Sequence, residues 1–182
     1  MKQVLSQIIP KPWLTPAVIK FLQQYLTGLQ NPKILEFGSG CSTAFFSQYL
    51  GEHGSLVSVE HNIIWYEHVH NYLEQNNLKN KVDLRLVQVD YAQECAKFMS
   101  NYFDLVFIDA KDRMACLQQA REIVKPGGII MLDDSQMRDK YQVANQIMHD
   151  WFKTELVGLK SNPLDLTCPE QISATAWWVK PI

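Results

Sequence analysis

The sequence predicts an α/β fold: a seven-stranded, mostly parallel sheet with helices on both faces and an antiparallel last strand. Three observations predict it. After residue 31, short apolar runs alternate with helical patterns through five successive strands, which is how crossover connections build a parallel sheet covered on both faces. The two final apolar runs have no helical pattern between them, so the last strand must run against its neighbours. Each of the first five runs also ends on, or is followed at once by, an acidic residue: Glu36, Glu60, Asp90, Asp109 and the pair Asp133 and Asp134. Sheets of this kind bind ligands outside the carboxyl ends of their strands.

The elements follow in order. Thr15 is placed to cap a first helix and Pro16 suits its first turn, where the missing N–H is not needed. Val18, Leu22, Tyr25, Leu26 and Leu29 recur at helical spacing, and Gly28 is placed to end the helix. Strands are predicted at 33–37, 55–60, 82–89, 103–108 and 129–132, with helices at 41–50, 63–77, 92–100 and 113–124 between them. Lys125-Pro126-Gly127-Gly128 reads as a turn before the fifth strand. An amphipathic helix is predicted over 139–151, with Val143, Ala144, Ile147, Met148 and Trp151 on one face. Strands at 154–159 and 174–179 close the chain, and alternation sends Trp177 and Trp178 to opposite faces as core. The expected division is a helical lid segment over 1–30, acting as an acceptor-site wall rather than core, and a ligand-binding domain over 31–182.

Composition narrows the class. With 182 residues, 47% hydrophobic and 20% charged, the chain has the make-up of one globular domain. A net charge of −2 and the lack of a basic tail argue against nucleic acid as a partner. No run approaches the roughly 18 apolar residues of a membrane helix, and Met1 to Pro10 lacks a signal-peptide pattern. Cys41, Cys95, Cys116 and Cys168 form no CxxC pair, which favours reduced thiols and a cytoplasmic location.

The first strand leads into Glu36-Phe37-Gly38-Ser39-Gly40-Cys41-Ser42-Thr43. Gly38 and Gly40 permit a sharp turn and close approach to a ligand. Glu36 discriminates between ligands: its carboxylate would repel the pyrophosphate of a dinucleotide but attract the ammonium and sulfonium of S-adenosylmethionine. Thr43, standing where a third glycine would serve a nicotinamide site, points the same way. Glu60 lies about twenty residues beyond the loop, where an acid reaches both ribose hydroxyls. His61 follows it, either lining the adenosine pocket or facing solvent. Asp90 and Tyr91 follow the third strand, placed for the adenine amino group and ring.

The series ILEFGSG, SLVSVEHN, VQVD, FDLVFIDA and VKPGGIIMLDD resembles the class I S-adenosylmethionine-dependent methyltransferases in order and spacing, over about 150 residues. The resemblance is to small bacterial members and, in part, to the metal-dependent O-methyltransferases. It implies a Rossmann-like fold. It also implies that Glu36, Gly38, Gly40 and Ser42 hold the methionine end, that Glu60 holds the ribose, and that Asp90 and Tyr91 hold the adenine side; Ser39, Thr43 and His61 are expected among the cofactor-binding residues beside them. Asp109 then lies between cofactor and acceptor. In the metal-dependent relatives, acids at the positions of Asp109, Asp133 and Asp134 bind Mg²⁺, and a lysine matching Lys111 is the general base. Here the loop is one residue shorter before that lysine. Two activations therefore stay open: a divalent ion on the three aspartates, or metal-free acid–base work by Asp109 or Lys111. Arg113 either orients an anionic substrate or pairs with Asp112.

The expected activity is O-methylation of a small-molecule acceptor. The competing readings are a nicotinamide oxidoreductase, a module that binds the cofactor without chemistry, and a methyltransferase acting on a macromolecule. The only segments outside the core sheet, 1–30 and 160–173, are short, so the acceptor site is either open or completed by a second subunit in a homodimer.

Overall fold

The computed structural model describes residues 8–137, 142–162 and 167–182. Its elements are α1 (Pro16–Thr27), β1 (Lys33–Phe37), α2 (Cys41–Ser47), β2 (Ser55–Glu60), α3 (Ile63–Gln75), β3 (Val82–Leu86), a 3₁₀ helix (Tyr91–Lys97), β4 (Phe103–Ile108), α4 (Arg113–Ile123), β5 (Val124–Leu132), α5 (Ala144–Ile147), β6 (Phe152–Lys160) and β7 (Gln171–Val179). The seven strands form one sheet in the order β3-β2-β1-β4-β5-β7-β6. Strands β1 to β5 are parallel, and β7 runs antiparallel to both β5 and β6. The chain order reverses between β1 and β4, which puts the glycine loop and Asp109 side by side at the crevice where such sheets bind ligands.

Strand alternation divides the core between the two faces. Leu35, Phe37, Val106, Ile108, Ile130, Leu132 and Trp178 pack on one side. Ile34, Leu105, Phe107, Ile129, Met131 and Trp177 pack on the other. The two tryptophans thus separate as expected.

Some boundaries differ from expectation. Lys125–Gly128, expected as a turn before the strand, lies instead within β5 as a bulge, because Val124 already pairs with Phe103 before Ile129 resumes with Leu105. The third strand stops at Leu86; beyond it Val89 is 74% exposed and has no core to bind. The helix expected at 92–100 is a 3₁₀ helix entered through Asp90 in the left-handed region. The helix expected over 139–151 is, among the described residues, the single turn α5, while Ala144, Met148 and Trp151 still bury their side chains. Residues 139–141 of that expectation lie outside the described residues.

The expectation that the whole N-terminal segment stands outside the core is corrected. Thr15 caps α1 by accepting the Val18 N–H, and Val18, Leu22 and Leu26 are at most 1% exposed. They pack with Ile34, Leu105 and Trp177, and Phe21 stacks on Trp177 at 4.2 Å between ring centroids. An apolar stripe at helical spacing signals burial, and here the buried surface is the sheet itself. Val18→Ala is therefore expected to lower stability by about 2 kcal/mol, from two buried carbons and the cavity they leave. Chemical denaturation measures it; an unchanged midpoint would return α1 to the role of a lid.

Candidate active site

Glu36 sits in the middle of the sheet and is fully buried. Its Oε2 accepts hydrogen bonds from the Thr43 and Ser58 hydroxyls, each at 2.5 Å. Thr43 in turn accepts the Gly40 N–H at 2.9 Å, so one hydroxyl ties the glycine loop to the buried acid. Glu36 Oε1 has no hydrogen-bond partner among the described residues. Burial pushes the Glu36 carboxyl up to about 7, against the pull of the Ser42, Ser58 and Thr43 hydroxyls. An acceptor oxygen without a donor in a dry interior is costly, and an ammonium group is the kind of ligand that would satisfy it.

The two loop glycines have different reasons. Gly38 adopts φ +98°, and a Cβ there would lie 2.3 Å from the Asp109 carbonyl oxygen. The Gly38 backbone thus makes a close approach between β1 and β4. At Gly40 a Cβ would meet nothing within 4 Å. Open space over a buried backbone position is a cradle for something outside the chain. The unpartnered carboxylate oxygen and this cradle fit S-adenosylmethionine.

Glu60 is 4% exposed and braces the loop. Its Oε2 accepts the Ser39 N–H at 2.9 Å and the Ser39 hydroxyl at 3.2 Å; its Oε1 accepts the N–H groups of His61 and Asn62 at 2.8 and 2.7 Å. A ribose would have to share an acceptor already engaged by the chain. His61 stands at the rim with its Nδ1 3.0 Å from Glu60. Asp90 is exposed at the strand edge. Tyr91 is corrected: its side chain belongs to the core, 3% exposed, with its ring against Phe37 and its hydroxyl donated to the Val59 carbonyl. Phe37 and the Val59 carbonyl hold the side chain, and His61 meets the ring edge-on.

At the ends of β4 and β5, Asp109, Asp133 and Asp134 bring one carboxylate oxygen each within 4.8 Å of one another. The sequence thus located a real cluster, but it missed the cations inside it. Lys160, at the end of β6 and 6% exposed, puts its Nζ 3.0 Å from Asp133 Oδ2 and 2.8 Å from Asp134 Oδ1. Thr175 donates to Asp133 Oδ1 at 2.7 Å, and Ser173 donates to Asp134 Oδ1 at 3.1 Å. Arg113 pairs with Asp109 at 2.5 Å, not with Asp112, and its guanidinium lies 3.7 Å from Asp134 Oδ2. Desolvation raises the Asp109 carboxyl from its ordinary range and Asp133 and Asp134 add to this, while Arg113 and Lys160 oppose it; 38% of the side chain is still exposed. Lys111 is exposed and makes no hydrogen bond or ion pair among the described residues. A Mg²⁺ ion asks for near-octahedral oxygen ligation, whereas Lys160, Arg113, Thr175 and Ser173 already face these oxygens. The arrangement as built does not fit a divalent ion.

The segment before α1 reaches this edge. Trp13 lies with its ring 5.3 Å from Lys160 Nζ. No helix among the described residues is long and apolar enough to cross a membrane.

A family described as a methyltransferase domain matches residues 35–135, from β1 through the acidic pair after β5. No curated protein matches the sequence. Among solved structures, an O-methyltransferase of tomaymycin synthesis from Streptomyces achromogenes, in complex with S-adenosylmethionine, superposes with a TM-score of 0.71 at 19% identity, covering 92% of this chain and 81% of its own. A Bacillus cereus O-methyltransferase in complex with S-adenosylhomocysteine gives 0.70 at 22%, covering 92% and 82%. A tRNA (m1A58) methyltransferase from Aquifex aeolicus gives 0.64 at 17%, covering 98% and 76%. These likenesses establish the fold, and the matched span, more than half of the chain, establishes the family: this protein belongs to the methyltransferase-domain family.

Proposed function

We propose that the protein transfers a methyl group from S-adenosylmethionine to an oxygen of a small molecule. The observation that carries this reading is the pairing of Glu36 Oε1, buried without a donor, with the open space at Gly40, the two connected through the Thr43 hydroxyl. Glu36, Ser39 and Ser42 would hold the methionine end, Glu60 and His61 the ribose side, and Asp90 the adenine. When bound, the cofactor supplies a methyl carbon made electrophilic by its sulfonium, so the chain's main task is to align an electron-rich acceptor.

A hydroxyl acceptor must lose its proton. Asp109 stands beside the glycine loop, through the contact of its carbonyl with Gly38, and 38% of its side chain is open to solvent. A carboxyl raised from its ordinary range, with one oxygen left open beside the Arg113 pair, suits proton acceptance from a hydroxyl. Arg113 fixes its orientation from the helix that follows. Lys111, exposed on the same loop, is the second candidate base. The segment from Ile8 to Thr15 supplies part of the acceptor wall through Trp13, which keeps the wall role for the residues before α1. Two of the named structural neighbours are O-methyltransferases, which supports an oxygen acceptor. The tRNA enzyme on the same fold shows that the sheet alone does not select the acceptor. The buried free thiols Cys41, Cys95 and Cys116 are in keeping with a reducing, cytoplasmic setting.

Calorimetry with S-adenosylmethionine, followed by a screen of metabolite extracts with methyl-labelled cofactor, tests the proposal. The expected result is stoichiometric binding and label in a small, ether-forming or ester-forming product. Binding without any labelled product would favour a non-catalytic module, and label in nucleic acid would move the acceptor class.

A further inference from the structure

We propose that the Lys160 ammonium is the resident cation of the Asp109, Asp133 and Asp134 cluster, standing where a divalent ion would otherwise sit, and that the enzyme works without a metal. The proposal deepens the methyltransferase reading and rests on it.

Three elements seat Lys160. It is the last residue of β6, paired in register with Gln171 at the start of β7, so the hairpin itself delivers it to the edge where β5 ends. The face of Trp13, from the segment before α1, lies 5.3 Å from its Nζ. Ahead of it stand Asp133 and Asp134, one carboxylate oxygen of each within 3.0 Å. With 6% of its surface exposed, this lysine is not a solvated side chain that swings aside. The two carboxylates hold it charged, against the burial that opposes the charge.

The remaining oxygens are also engaged. Asp133 Oδ1 takes the Thr175 hydroxyl, and Asp134 Oδ1 takes Ser173 and Gln136 in addition to Lys160. The Arg113 guanidinium faces Asp109 Oδ1 and Asp134 Oδ2. Of the six carboxylate oxygens, only Asp109 Oδ2 lacks a donor or cation from the chain among these contacts. A divalent ion entering here would meet a buried ammonium and a guanidinium, and like charges repel strongly where water is scarce. It would also have to strip hydroxyl donors from both β5 aspartates to complete its ligation. Lys160 is thus a positioning residue. It fixes Asp133 and Asp134, and through Asp134 and Arg113 it helps to set the orientation of Asp109.

The test uses Mn²⁺ as the probe, with free ion followed by electron paramagnetic resonance, beside calorimetry with S-adenosylmethionine. The wild-type chain is expected to bind the cofactor in the presence of a chelator and to take up no Mn²⁺ at millimolar concentration. Lys160→Arg, which keeps a cation, is expected to match it. Lys160→Met removes the cation and is expected to bind Mn²⁺ at least about tenfold more tightly than wild type, because it leaves unpaired acids of the hard-oxygen type. One Mn²⁺ bound per wild-type chain at micromolar concentration, or a Lys160→Met chain that folds and still refuses Mn²⁺, overturns the proposal. If Lys160→Met does not fold, the wild-type and Lys160→Arg titrations decide alone. Failure of the cofactor to bind under any condition overturns the methyltransferase reading instead, and the Mn²⁺ titrations still report on Lys160.

Discussion

A Gly38→Val chain is expected to lose about 4 kcal/mol of stability or more, enough to unfold a domain of ordinary stability, whereas Gly40→Val is expected to fold normally and lose its cofactor. At Gly38 two costs add. The backbone sits at φ +98°, where a β-branched residue is strained. The new Cβ would also stand 2.3 Å from the Asp109 carbonyl oxygen and 2.9 Å from its carbon. Those are backbone atoms at the end of a central strand, and no rotamer change can move them. Gly40 has extended backbone and open space, so a valine there displaces nothing of the protein. It would fill the cradle, and cofactor affinity should fall at least about a hundredfold, or about 3 kcal/mol. Thermal melts and calorimetry on the two variants separate the effects. A Gly38→Val chain as stable as wild type would mean that the β1 and β4 ends do not meet in this way. A Gly40→Val chain that binds the cofactor normally would move the ligand away from the loop.

The two glycines also show what the sequence could and could not convey. Their spacing after an apolar run marked a turn at the end of β1, and that turn is present. Nothing in the spacing said that one glycine serves a strand-to-strand contact and the other faces open space, since this depends on β4, some seventy residues later. The sheet was legible because its signal is local: short apolar runs, breaks at turn residues, an acid at or just beyond the end of each of the first five strands. The separation of Trp177 from Trp178 followed from strand alternation alone. The role of α1 was not legible, because an amphipathic stripe announces that a face is covered but not by what. Lys160 was invisible for a related reason. It lies 26 residues from Asp134 and reaches the acids only through the register of the β6–β7 hairpin. Thr43 was read as a missing glycine, yet it is the hydroxyl that joins Gly40 to Glu36. Ser58, the other donor to Glu36, was not singled out at all, although alternation in β2 places it on the same face of the sheet as Thr43 and Glu36.

Stability of the wild-type chain is expected to fall by about 3 kcal/mol more than that of Glu36→Gln as pH rises from 4 to 8. In the unfolded chain the Glu36 carboxyl loses its proton near 4.5, and in the folded chain near 7. Between those values the folded state holds the extra proton, so the contribution of this group to stability falls as pH rises through the interval, and the full loss is present above about pH 7. At about 1.4 kcal/mol per pH unit the interval amounts to about 3 kcal/mol. The cause is burial. The Thr43, Ser58 and Ser42 hydroxyls stabilise the anion but do not replace the water it gave up, and Glu60 adds a like charge nearby. Glutamine has nearly the same shape and no proton to lose, so its profile lacks this component, while titration of the three aspartates affects both chains alike. The same carboxyl links pH to ligand. If the ammonium group of S-adenosylmethionine settles against Glu36 Oε1, binding favours the anion and should release on the order of half a proton at pH 7. Calorimetry in buffers of different ionisation enthalpy reads that release directly, and Glu36→Gln should abolish it along with much of the affinity. Parallel stability profiles for the two chains, or binding with equal proton release in both, would show that Glu36 is neither strained by its burial nor in contact with the ligand.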